Sequence, residues 1–149
     1  GRPDMALFIF TKAILSNKAI NIYNHGNMIR DFTYIDDIIE SLFRLLKKPA
    51  EVDINFNTNT PTPSTSWAKY KIFNIGNSSP TLLMEYISEI EKNLDKKAIK
   101  NFMPIQAGDV PATESNTTKL ENWIGFKPKT NIQDGVKYFI DWYKTFYKI

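Results

Sequence analysis

The residues best suited to chemistry lie between Met28 and Asp37, in the string M-I-R-D-F-T-Y-I-D-D. Arg30 and Asp31 interrupt an apolar stretch, just after the glycine turn Asn24-His25-Gly26-Asn27 and just before a helix expected to begin near Asp36. A guanidinium at such a strand-to-helix connection presents a planar fork of donors that suits a phosphate or a carboxylate. The same residues allow a plainer role, in which Arg30 pairs with Asp31 or a neighbouring carboxylate on a solvated edge and contributes little. His25 is the only histidine. It sits beside the turn glycine with no metal ligand or general-base partner nearby in sequence, so it reads as a turn residue.

The elements that must position these groups follow from apolar spacing. A helix is expected over about 3–17, with Pro3 tolerated in its first turn and Asp4 favourable to its dipole. Its middle is apolar nearly all round, so it expects cover on more than one side. Ala19 to Tyr23 alternates and reads as a short strand closed at His25-Gly26. From Ile35, the positions Ile38, Ile39, Leu42, Phe43 and Leu46 keep helical spacing and are assigned to the core, with Pro49 as the stop. Asp36 and Asp37 favour that helix's N-terminus. Pro49 to Ser66 carries three prolines and a dense Asn/Thr/Ser run, which predicts a mobile surface loop with Trp67 anchoring its end.

Tyr70 to Ile75 alternates as a strand, Gly76 to Pro80 makes a turn, and a helix capped by Ser79 or Thr81 buries Leu83, Tyr86, Ile87, Ile90 and Leu94. Ile99 to Ile105 reads as another strand. Asn116 or Thr117 caps a brief helix ended by Gly125, and Asn131 opens the last helix through Ile132, Val136, Phe139, Ile140, Tyr143 and Tyr147. Tyr138 and Trp142 beside that stripe are read as packing. No G-x-G-x-x-G or G-x-x-x-x-G-K pattern occurs, so Gly76-Asn77 is read as a structural turn.

Composition bounds the rest. With 149 residues, 42% apolar and 13% aromatic, the chain is about one domain and should fold. The net charge of +3 has no dense basic run behind it, which argues against nucleic acid. The absence of cysteine excludes a disulfide framework and makes a reducing cytoplasm the default. The longest apolar run, Met5 to Phe10, is too short to span a bilayer.

Four strings taken together resemble one family. R-D-F-T-Y-I-D-D is similar to the segment opening the substrate-binding half of the extended short-chain dehydrogenase/reductase nucleotide-sugar epimerases. Gly1-Arg2-Pro3-Asp4-Met5, Phe73-Asn74-Ile75-Gly76-Asn77 and Pro104 to Val110 (P-I-Q-A-G-D-V) follow that family's order, and the resemblance covers essentially the whole chain. G-R-P-D-M-A together with a glutamine version of the last string resembles the UDP-glucuronate 4-epimerase branch in particular. The implied fold is a small mixed α/β substrate-binding lobe over residues 1–149, the C-terminal part of such an enzyme without its Rossmann half.

The resemblance also implies roles. Arg30 would grip the diphosphate, Asp109 would accept bonds from the ribose hydroxyls, and Arg2 would hold the sugar carboxylate or a phosphate oxygen. Ile22 and Tyr23 would line the uracil through backbone groups and a ring face. Gln106 stands where many relatives carry arginine, which shifts the diphosphate onto Arg30. The family reaction moves a hydride between sugar C4 and NAD with a Tyr-x-x-x-Lys pair, and no tyrosine here is followed four residues later by lysine. NAD would therefore be held by the nucleotide-binding half, as would the homodimer contacts, and this chain alone would carry no catalytic, cofactor or metal residue. The competing readings are a related UDP-glucose epimerase, dehydratase or decarboxylase, and a stand-alone interaction module using the first helix.

Overall fold

The computed structural model describes residues 3–149 and contains five α-helices and four short strands. Arg2 lies outside the described residues. Contacts divide the chain into two units, the first built from residues up to Phe32, Ser79–Thr113 and Thr130–Ile149, the second from Thr33–Ser78 and Glu114–Lys129. No helix among the described residues is long and apolar enough to cross a membrane.

In the first unit, α1 (Ala6–Leu15) is shorter than the spacing predicts, because Pro3 and Asp4 form a turn and Met5 is the extended residue before the helix. Its apolar excess is largely covered at home. Phe10 and Ile14 enter the core, and Phe8 meets Phe139 edge-on at 4.9 Å. β1 (Ala19–Ile22) alternates exposed and buried and pairs in parallel with β4 (Ile99–Phe102), in the register Ala19↔Ile99 to Ile22↔Phe102. β2 (Ile29–Asp31) runs antiparallel to β3 (Pro80–Leu82).

α3 (Leu83–Leu94) buries Tyr86, Ile87, Ile90 and Leu94, the stripe expected of it. Its start differs from expectation. Neither Ser79 nor Thr81 caps it, because Pro80 to Leu82 is strand and Leu82 is the residue preceding the helix. α5 (Ile132–Tyr147) opens as read, with Asn131 Oδ1 accepting from the Asp134 amide at 2.8 Å. Val136 and Ile140 complete a core with Ile14, Ile20, Ile22 and the α3 stripe.

A buried carboxylate ties these layers together. Glu91 is 5% exposed and accepts from Lys97 at 3.2 Å, from the Ala98 amide at 2.9 Å, and from Lys100 on β4. Burial alone would raise its pKa, but the bonds from Lys100, Ala98 and Lys97 outweigh it and hold the carboxyl below its ordinary value.

The second unit corrects several expectations. α2 (Ile35–Lys47) forms, but Ile39, Leu42, Phe43 and Leu46 are exposed rather than core, and its buried residues are Asp37 and Ser41. On the buried side Asp37 Oδ2 accepts from the Lys129 amide at 3.2 Å, and Ser41 Oγ donates to the Asp37 carbonyl one turn back. α4 (Thr118–Ile124) follows Thr117 and ends at Gly125 with φ 64°. Tyr70 to Ile75 is not a strand: its pairing among the described residues is confined to an isolated bridge of Lys71 to Thr65, beside which the Ile72 amide donates to the Ser64 carbonyl at 3.0 Å. Residues 49–66 hold no helix or strand, yet Trp67 at 72% exposed anchors nothing. Trp123 packs instead: its Nε1 donates to the Lys48 carbonyl at 3.0 Å and its ring lies under Lys71 and beside Phe73.

Candidate functional site

The first unit gathers the chemically able residues at one end of its two small sheets. β1 runs out at Ile22, and a single 3-10 turn over Tyr23–Gly26 turns the chain toward β2. Asn24, His25 and Gly26 all have positive φ there, which confirms His25 as a turn residue. Gly26 is required twice over: its φ is +84°, and an added Cβ would lie 2.9 Å from Met84 Sδ. The turn is held by the His25 amide donating to the Met103 carbonyl at 3.0 Å.

β2 then carries Arg30 and Asp31. Two independent links fix the 109–113 segment beside it, because the Ile29 amide donates to the Pro111 carbonyl and the Thr113 amide to the Ile29 carbonyl. Ile29 and Ala112 form a parallel bridge. The segment is thus an irregular third rung against β2. That placement brings Arg30 and Asp109 together across 79 residues, with Nη2 2.9 Å from Oδ1.

The bond inventory decides what the pair can offer. Arg30 Nη1 is occupied by the carbonyls of Ile29 at 2.8 Å and Pro111 at 3.3 Å. Its Nε makes no hydrogen bond among the described residues. Asp109 Oδ1 also accepts from its neighbouring Val110 amide, which leaves Oδ2 open. Two unspent donors, Nε and the second Nη2 hydrogen, therefore stand beside an unspent carboxylate oxygen. This suits an anionic group next to a hydroxyl. The plainer reading of Arg30 is half met, since it does pair with a carboxylate, but with Asp109 rather than Asp31. Asp31 instead accepts from the Ser79 amide at 3.2 Å.

Both residues line a cavity of about 340 Å³ whose wall includes Asn21, Tyr23, Asp31, Phe32 and Met28. Tyr23 presents from the turn, as its position after β1 requires. Ile22 lies elsewhere: it is fully buried in the core, and its carbonyl is taken by the Met103 amide at 2.9 Å. Gln106 is exposed and outside the cavity wall, and its carbonyl accepts from the Asp109 amide, which closes a tight loop through Gly108 at φ +83°. Asn21 and Phe32 line the cavity without having been singled out from sequence. Phe32 was within reach as part of R-D-F, and it stacks on Tyr86 at 4.1 Å. Asn21 sits on the exposed side of β1, where it accepts from its cross-strand neighbour Asn101 at 2.9 Å. Among the described residues no cluster of three metal-ligating side chains exists.

Comparison with known proteins gives the family of the chain. The family profile described as GDP-mannose 4,6 dehydratase matches residues 6–139. Protein CapI of Staphylococcus aureus is 56% identical over 99% of this chain and 44% of its own length. A probable UDP-glucuronate 4-epimerase of Rhizobium meliloti is 41% identical over 99% of this chain and 44% of its own length. Among solved structures, the UDP-glucuronic acid 4-epimerase of Bacillus cereus in complex with UDP-glucuronic acid and NAD superposes with a TM-score of 0.76. It is 29% identical over 98% of this chain and 41% of its own length. The chain spans less than half the length of these relatives. It belongs to the GDP-mannose 4,6 dehydratase family, and its mixed α/β fold is that of the C-terminal part of the extended short-chain dehydrogenase/reductase nucleotide-sugar epimerases.

Proposed function

We propose that this chain is the UDP-sugar-binding part of an NAD-dependent nucleotide-sugar 4-epimerase acting on UDP-glucuronate. The observation that carries the reading is the Arg30–Asp109 pair on the wall of a ligand-sized cavity, with Tyr23 on the same wall. Arg30 contributes Nε and Nη2 to a diphosphate oxygen as a charge-assisted fork. Asp109 Oδ2 accepts from a ribose hydroxyl while Oδ1 stays tied to Arg30 and Val110. The Tyr23 ring offers a face to the base, and Arg2 takes the sugar carboxylate.

Hydride chemistry belongs to NAD, which the rest of such an enzyme would hold. The residues of this chain do not fit that cofactor: it has neither a glycine fingerprint for the pyrophosphate nor a Tyr-x-x-x-Lys pair. What this chain does is bind and orient the nucleotide sugar. The names of the relatives favour glucuronate over the dehydratase alternative. Titrating UDP, UDP-glucuronate and UDP-glucose into the chain by calorimetry tests the reading. UDP-dependent binding that is tighter for the glucuronate supports it, and equal affinity for the two sugars removes the glucuronate assignment.

A further inference from the structure

The last turn of α1 and the chain just beyond it bring two cations together. Asn17 has φ 52° and the Lys18 amide donates to the Ala13 carbonyl at 2.8 Å, so the backbone doubles back and returns Lys18 to the helix it has left. Lys12 and Lys18 both line a cavity of about 340 Å³ walled by α1 and α5. Neither lysine forms an ion pair or a side-chain hydrogen bond among the described residues, and no carboxylate lines the cavity. A lysine in a last turn ordinarily complements the carbonyls at that end of a helix. Here Lys96 already does so, its Nζ donating to the Leu15 carbonyl at 3.0 Å, which leaves Lys12 and Lys18 as surplus charge on one wall.

α5 supplies a different kind of surface. Tyr143 and Tyr147, one turn apart, set their ring centroids 4.5 Å apart, and Phe8 meets Tyr143 edge-on at 6.0 Å, so the cavity has an aromatic wall. Tyr143 is 6% exposed, yet its hydroxyl makes no hydrogen bond among the described residues. That hydroxyl is not sealed from solvent, since the fully enclosed side-chain polar atom without a partner among the described residues is Thr11 Oγ1. A buried phenol whose hydroxyl reaches accessible space without a protein partner is a donor left for a ligand. Burial raises its pKa, which keeps the proton on at neutral pH.

The wall therefore offers two ammonium groups and a phenol beside aromatic rings. Two cations match the charge of about −1.5 to −2 on a phosphate monoester at pH 7, and three donors match its three terminal oxygens. A carboxylate, with one charge and two oxygens, leaves a cation and a donor unmet. The rings add a face for a flat apolar body, and the volume is that of a small-molecule site. We infer that this cavity binds a phosphate monoester of a planar ring compound, with Lys12, Lys18 and Tyr143 donating to the phosphate and Phe8 and Tyr147 against the ring. The Arg30–Asp109 cavity is separate and takes Ala6 and Phe10 from α1 instead, so binding here does not depend on the nucleotide-sugar site.

Phenyl phosphate titrated into the full chain, followed by calorimetry and by amide chemical shifts, tests this. Saturable binding is expected, with shifts concentrated at Lys12, Ala13, Lys18, Tyr143 and Tyr147 and absent at residues 29–31 and 109. Lys12→Ala with Lys18→Ala should weaken it roughly tenfold or more, and Tyr143→Phe severalfold. Tyr143→Phe breaks no hydrogen bond within the described residues, so its thermal unfolding should match wild type. Arg30→Ala should bind the probe unchanged. Inorganic phosphate should bind more weakly, because it has no ring to set against the aromatic wall. No saturable binding, affinity untouched in the lysine and tyrosine variants, or equal affinity for inorganic phosphate would each overturn the inference. Binding lost in Arg30→Ala would place the probe in the other cavity and overturn it too.

Discussion

Replacing Glu91 by glutamine removes one charge from the tie between α3 and β4. The shape is kept, and the amide oxygen of the new side chain can still accept from the Ala98 amide. What is lost is the charge on the bonds from Lys100 and Lys97. Bonds to charged groups contribute about 1.5–3 kcal/mol where neutral ones contribute roughly 1. Lys97 is 86% exposed and adds little, while Lys100 is 25% exposed and adds most. The expected cost at neutral pH is therefore about 1–2 kcal/mol. At this chain length it corresponds to a fall in Tm of roughly 2–8 °C.

The sign of the pH dependence follows from the depressed carboxyl. Its folded pKa lies below the 4.5 of the free group, so its stabilisation is complete above 4.5 and disappears as pH falls through the folded value. Urea unfolding of wild type and Glu91→Gln at pH 7 and again near pH 3 should show the gap between them shrinking. A gap that stays constant with pH, or a glutamine variant as stable as wild type at pH 7, would show that the charge on Glu91 adds nothing to the tie.

Other substitutions test the surrounding architecture. Gly26→Ala should destabilise by about 1–3 kcal/mol in denaturant melts, because a Cβ there meets Met84 in a backbone region that side chains avoid. Thr11→Val should be neutral or raise the unfolding free energy from denaturant melts by up to roughly 1 kcal/mol, because the Thr11 hydroxyl is fully buried with no partner among the described residues. Asn131→Ala should cost about 1 kcal/mol and Asn131→Gly a few tenths, read by thermal unfolding, since the side chain caps α5.

Local signals were legible and long-range ones were not. The α3 stripe, the Asn131 cap and the Gly125 stop each depend on residues within one or two turns of one another, so spacing and residue type suffice. α2 shows the limit: periodicity reveals that a helix has an apolar face but not which face is buried. There, the buried side is the polar one, where Asp37 accepts from the Lys129 amide 92 residues away, a contact that no local spacing reveals. β3 was hidden because its pairing with β2 is non-local, and Pro80 at its first residue reads as a turn. Tyr70 to Ile75 has the alternation of a strand without a partner to make it one. For the cavity, Arg30 and Asp109 were each visible by residue type and by family resemblance, but that they touch depends on the 109–113 segment lying beside β2. Ile22 ends β1 with its side chain fully buried and its carbonyl held by the Met103 amide, an arrangement set by the pairing of β1 with β4 and not by local spacing.

Calorimetric titration of UDP into wild type, Arg30→Ala and Asp109→Asn tests whether Arg30 and Asp109 form one nucleotide-sugar site. Loss of the guanidinium's charged bonds should weaken UDP binding by about 1.5–3 kcal/mol, or roughly ten- to a hundredfold. Asp109→Asn should weaken it less, since one acceptor oxygen survives. UDP binding by wild type that both variants retain unchanged would place the nucleotide away from Arg30 and Asp109.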